Sequence, residues 1–396
     1  MKWFCTAALL ASAALVSAVD SPAGSAPGKV TAGAPGGAVV KGLDGFPIAV
    51  WLQDPRNAAK YRAIGINVYL GLWEGPTAAQ LSALEKAEMP AICDQNAEGL
   101  KPRWKNEILG WLQEDEPDNA QELPNNKGYG PPILPEKIVA RYQEMKKADP
   151  DRPVILNLGQ GVAWDGWYGR GTRSNKPEDY PLYAKGGDIV GFDIYPVVHD
   201  RKEVAGKLWY VGHGVERLVK WTDGQKPVWS CIECTHIGNA AVKPTPAQVK
   251  SEVWMAIIHG AHGITYFAHQ FAPKFVEAAV LDDADMSKAI REINHQVQTL
   301  APAILSAAPA PVALAAVESS GGEKAPIAVM TRRWDGATYV FAVGMREAAV
   351  QGTFALAGAA GNVEVIGENR TVPAAGGKWT DGFEGYQVHL YKLGGK

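Results

Sequence analysis

The sequence predicts a (β/α)8 barrel followed by a small antiparallel β domain. Three observations lead there. From Phe46 to about Leu305, short apolar segments that end in polar or acidic residues alternate with amphipathic helical patterns, and such alternation builds a parallel sheet. Eight such segments occur, the number that closes a barrel. The first turn, Gln53-Asp54-Pro55-Arg56, is not the glycine-rich phosphate turn that would follow the first strand of an open doubly wound sheet.

In order, strands are expected at Ile48–Leu52, Ile66–Leu72, Pro90–Cys93, Ile108–Leu112, Val154–Leu158, Ile189–Ile194, Val228–Ile232 and Gly263–Phe267. Helices are expected at Asn57–Ala63, Ala78–Ala87 with Thr77 as cap, Pro135–Lys147, Val204–Trp221, Thr245–His259 and Ser287–Leu300. The helices after the third and fifth strands are poorly marked. Beyond Pro302 the pattern changes to short strands between Gly-rich turns: Pro311–Ala316, Ala328–Thr331, Thr338–Val343, Thr353–Leu356, Val363–Ile366 and Tyr386–Tyr391. The barrel is thus assigned to 42–305 and a β-sandwich-like domain to 306–396, the latter as a stabilising appendage.

The start of the chain stands apart. Met1-Lys2 is followed by an apolar run to Val16, and Val16-Ser17-Ala18 fits a signal-peptidase site. Residues 1–18 are therefore expected to be a cleaved signal, which implies a secreted or periplasmic protein. Residues 19–41, rich in Gly, Pro, Ala and Ser, read as a flexible linker. A net charge of −3 gives no basic footprint for nucleic acid and no polybasic membrane patch. Cys93, Cys231 and Cys234 remain once Cys5 leaves with the signal. They are too few for a disulfide scaffold, and Cys231-x-x-Cys234 lacks the second ligand pair that a zinc site needs.

The chemistry should lie at the C-terminal ends of the strands. Those ends carry Asp54, Trp73, Asp94, Asp115, Glu116, Asn157, Asp193, Tyr195, Glu233, His236 and His269. The fourth strand runs into Glu114-Asp115-Glu116-Pro117. The seventh is largely apolar until Glu233, and period-two alternation puts Trp229, Cys231 and Glu233 on one face. An unpaired buried charge is costly, so a glutamate there invites a functional reading. Cleaving a glycosidic bond takes two carboxyl groups flanking it. Glu116 and Glu233, at the ends of strands four and seven, could supply them across the barrel mouth. Trp164 and Trp167, in a glycine-rich loop after the fifth strand, offer flat faces for sugar rings.

With those residues in place, the chain resembles the clan A glycoside hydrolases, the retaining barrels of the β-galactosidase and cellulase type. Asp115-Glu116-Pro117 stands where that family has Asn-Glu-Pro, and Glu233 stands at its nucleophile position. The resemblance implies Glu116 as acid/base, Glu233 as nucleophile and Tyr195 as the tyrosine that contacts the nucleophile. Gly260 to Phe267 resembles the passage into strand eight of β-galactosidase-like members. The expected partner is a carbohydrate, with no metal or other cofactor. Asp115 departs from the family's neutral Asn, and its charge would favour the protonated form of Glu116. Two other readings remain. One is a barrel hydrolase or isomerase using Asp94, Asp193, His199 or His236 around a metal. The other is a non-catalytic sugar-binding barrel.

Overall fold

The computed structural model describes residues 40–307, 312–319 and 325–394. The expected signal and nearly all of the linker lie outside the described residues. Eight parallel strands form the barrel: β1 (Ile48–Trp51), β2 (Val68–Leu70), β3 (Ala91–Asp94), β4 (Ile108–Asp115), β5 (Val154–Leu158), β6 (Ile189–Phe192), β7 (Val228–Glu233) and β8 (Ala261–Phe267). They pair in chain order, and β1 also pairs with β8, so the sheet closes.

The barrel interior is a packed core. Trp51, Leu70, Ile92, Leu112, Ile155, Trp229 and Phe267 cluster there, as the alternation of each strand requires. The indole of Trp229 fits because β8 has Gly263 opposite it. A Cβ at that position would lie 2.5 Å from the Trp229 ring. A second apolar cluster fills the space between the strands and the surrounding helices.

Helices α1 (Ala58–Ala63) and α2 (Ala78–Lys86) follow β1 and β2, and α3 (Pro135–Ala148) follows β4. Where the sequence marks helices poorly, regular helix is short or missing. A single 3₁₀ turn, Pro102–Trp104, follows β3, and 3₁₀ turns with the four-residue α4 (Tyr180–Tyr183) follow β5. Then come α5 (Trp209–Trp221), α6 (Pro246–Ile258), α7 (Ala279–Asp282) and α8 (Ala284–Ile304). Capping boxes start α2 at Thr77/Gln80 and α6 at Thr245/Gln248, each satisfying backbone N–H groups that a helix start leaves free.

The described residues of the C-terminal domain form eight strands: β9 (Ala313–Ser319), β10 (Ile327–Trp334), β11 (Ala337–Gly344), β12 (Val350–Ala355), β13 (Gly361–Val365), β14 (Arg370–Ala374), β15 (Lys378–Phe383) and β16 (Val388–Gly394). They form two sheets, in the orders β10-β11-β16-β13-β14 and β15-β12-β9. Six strands were expected; β14 and β15 are additional. The domain packs on the barrel through α6 and α8, where Trp254 stacks on Phe341 with ring centroids 5.4 Å apart. Ser251 and Tyr386 also join the two: Ser251 Oγ donates to Tyr386 O at 2.6 Å, and Tyr386 Oη donates to Gly206 O at 3.0 Å.

Candidate active site

β4 is longer than its apolar run. It continues through Gln113 and Glu114 to Asp115, which pairs with Asn157 on β5 after a register shift. The next residue, Glu116, has φ 43°, left-handed backbone that costs a non-glycine residue about 1–3 kcal/mol. Two backbone bonds hold it: Glu116 N to Asn157 O and Asn119 N to Glu116 O, each 3.0 Å. Strain of this kind, held in place by its surroundings, gathers at functional positions.

The carboxyl that meets Glu116 is Asp193, just past the end of β6. The two side chains are in hydrogen-bond contact. Burial, followed by the charge and hydrogen bond of Asp193, pushes Glu116 well above the ordinary carboxylate range, while Asn119 opposes the rise. Burial also raises Asp193, to about 7, and its bonds from Glu116 and Tyr195 oppose that rise. The shared proton therefore resides on Glu116 and the negative charge on Asp193. Apart from Glu116 and Tyr195, one oxygen of Asp193, Oδ1, has no partner.

Other strand ends close around this pair. Asn157 Nδ2 donates to Asp115 Oδ1 at 3.0 Å. Asp115 is itself raised by burial and by Glu116. Asp118 accepts from Gly159 N and from Tyr180 Oη, both at 2.8 Å, fastening the loop after β4 to the one after β5. Cys231 points inward near Asn157, its sulfur 4.0 Å from Asn157 Oδ1. Asp94, at the end of β3, is raised to about 6 by burial and by Glu114.

One wall is aromatic. Trp164 and Trp167, with centroids 6.1 Å apart, pack edge-on against His199. Trp167 Nε1 donates to Asn119 Oδ1 at 2.8 Å, so this wall is tied to the residue beside Glu116. His199 is fixed by Gln160, 2.9 Å away. Trp73, Tyr168 and Phe275 are exposed.

The remaining expected residues lie outside this cluster. Asp54 accepts from Arg56 N, and its own backbone N–H donates to Glu277. His269 contacts Gln53 Nε2 at 3.2 Å and stacks on Phe271; burial lowers it to about 4, so it is neutral. His236 turns to the backbone of Asn239 and Val242.

Glu233 makes its hydrogen bonds with groups other than Glu116. Its carboxylate accepts from Val197 N at 2.6 Å and Val198 N at 3.0 Å, its side-chain neighbour is Glu252 of α6, and it has no exposed surface. Tyr195 accordingly bonds to Asp193, where contact with Glu233 was expected. Alternation names the side of a strand. It does not fix a last side chain with two free N–H groups beside it. Asn119, Gln160 and Glu252 were missed. Glu252 had a signal, a charge leading into Val253-Trp254-Met255-Ala256-Ile257-Ile258. Among the described residues, no three His, Cys, Asp or Glu side chains gather as a metal site. Also among them, no helix is long and apolar enough to cross a membrane.

Residues 134–303 match the glycoside hydrolase family 42 model, described as β-galactosidase. The matched stretch holds Asp193 and Glu233 and leaves out β4. Among solved structures, the chain is similar to a family 42 β-galactosidase from G. stearothermophilus (TM-score 0.55, 8% identity, 91% of this chain and 99% of that one). It is also similar to an α-amylase from Lactobacillus plantarum (TM-score 0.51, 13% identity, 88% and 98%). At such identities the likeness is one of fold. No curated protein matches the chain by sequence. A closed barrel, acidic strand ends at its mouth and the family match define a glycoside hydrolase. The family 42 match falls among the clan A enzymes that the sequence resembles.

Proposed function

We propose that the protein is an exported retaining glycosidase acting on an oligo- or polysaccharide, with Glu116 as acid/base and Asp193 as nucleophile. The contact between these two carboxyls carries the reading. Touching carboxyls are closer than a retaining pair's spacing of about 5–5.5 Å. A sugar entering between them would part them toward that spacing before the about 6.5–9.5 Å of an inverting pair, which leaves room for a water.

Asp193 is ionised first and attacks the anomeric carbon, while Glu116 gives its proton to the departing glycosidic oxygen. A glycosyl ester forms on Asp193. Glu116, now a carboxylate, takes a proton from water; the hydroxide portion attacks the anomeric carbon and releases Asp193. Tyr195 donates to Asp193 and favours its charged form. The family match puts β-galactosides first among substrates to try. Export rests on the N-terminal pattern, and exported protein beginning near Val19 would bear it out.

A 2-fluoroglycoside with a good leaving group traps the ester. Peptide mapping of the trapped enzyme should find the sugar on Asp193. Sugar found on Glu233 would overturn this assignment, and product NMR showing inverted configuration would overturn retention.

A further inference from the structure

Glu233 and Glu252 are both wholly buried and lie in hydrogen-bond contact. Apart from Glu233, the carboxyl oxygens of Glu252 have no partner. Two bare charges so placed would each lose their hydration and repel. One proton therefore stays, on Glu252, and Glu233 accepts it as a hydrogen bond beside the two from Val197 and Val198.

Those two amides belong to the stretch that follows Asp193-Ile194-Tyr195-Pro196. The same stretch is held from its far side. Gly206 N donates to Pro196 O at 2.9 Å, Gly206 O accepts from Tyr386, and Tyr386 O accepts from Ser251, the residue before Glu252. A ring of contacts thus runs from β7 through α6, the C-terminal domain and the segment after β6, back to β7.

We propose that Glu233 is a positioning residue: clasped by Glu252, it grips the Val197 and Val198 amides and so holds Asp193 against Glu116. This rests on the assignment of Asp193 as the attacking group. Glutamine at Glu233 would turn an amide N–H toward one of two backbone N–H donors, and the segment must shift. Glutamine at Glu252 still presents an N–H to Glu233.

The test uses the full chain, an activated aryl glycoside and the 2-fluoroglycoside. Glu233→Gln should lower kcat on the order of 10–100-fold, with KM little changed and the acidic limb of the pH profile displaced. Glu252→Gln should keep activity close to the parent's, whereas Glu252→Leu should behave as Glu233→Gln does. Label on Asp193 together with an unchanged kcat and pH profile in Glu233→Gln overturns this inference alone. Label on Glu233 overturns it and the assignment of Asp193 together. If Glu233→Gln does not fold, a folded and fully active Glu252→Leu overturns the inference instead.

Discussion

Glu116 is legible in the sequence because three carboxylates before a proline are conspicuous, and because a strand end is where a barrel does its chemistry. Its partner is less so. Asp193 stood among the expected sugar contacts, but nothing local says that it will face Glu116 across the mouth. Closing the barrel brings them together. Their contact has a consequence for pH. Burial raises both groups, and Asp193 must be ionised to attack while Glu116 must be protonated to donate. The rate should rise with pH through about 7 and fall only when Glu116 loses its proton. The profile belongs to the pair and not to either group alone. A kcat/KM profile with an unactivated substrate should peak at neutral pH or above, and an optimum below about 5 would contradict the arrangement. In Glu116→Gln, an activated leaving group should remove the alkaline limb.

At the scale of elements, β4 and the loop after β5 set the mouth, and the tight point between them is Gly159. A Cβ there would lie 2.8 Å from Asn119 Nδ2 and 2.9 Å from Glu116 Oε1. Gly159→Ala should therefore push Glu116 off its line, lowering kcat/KM on the order of 10–100-fold. Overpacking itself costs about 1–3 kcal/mol, which the barrel can absorb. Unchanged kcat/KM in a folded Gly159→Ala protein would show that Glu116 has slack. The barrel strands and their long helices were legible from period and caps. The reach of β4 to Asp115 was not, since its last residues are polar and look like loop. β14 and β15 escaped for a related reason. Arg370-Thr371-Val372-Pro373-Ala374 contains a proline, and Lys378-Trp379-Thr380-Asp381-Gly382-Phe383 contains Asp and Gly, residues depleted in strands.

Across the whole molecule, buried titratable groups make stability depend on pH in a definite direction. Asp115, Glu116, Asp118, Asp193, Glu233 and Glu252 are raised by burial. Each therefore keeps its proton to a higher pH in the folded state than in the unfolded chain, which gives it up at about pH 4. Their contribution is full below that pH and is lost as pH rises through the folded values. His199, His213, His259, His262 and His269 are lowered by burial. They act the other way, costing stability below about pH 6.5, where the unfolded chain's imidazoles take up protons. The two sets oppose each other between about pH 4.5 and 6.5, and above that only the carboxyls act. Thermal unfolding should give a Tm that is nearly flat over that window and falls from about pH 7 upward, with a shallower fall in Glu252→Gln. A Tm still rising at pH 9 would mean that these carboxyls are not buried as described.

The barrel has no free edge, but each sheet of the C-terminal domain has two. β14 ends one sheet and β15 ends the other. An exposed edge is a row of unpaired N–H and C=O groups on which a strand of another molecule can build. Pro373 withholds one of those N–H groups, Lys378 brings charge to an edge, Arg370 of β14 pairs with Asp381 of β15, and Asp381 and Gly382 interrupt an even β pattern. The residues that hide these two strands from a reader of the sequence thus also hide them from a neighbouring chain. Together these features make the two edges poor templates for an added strand.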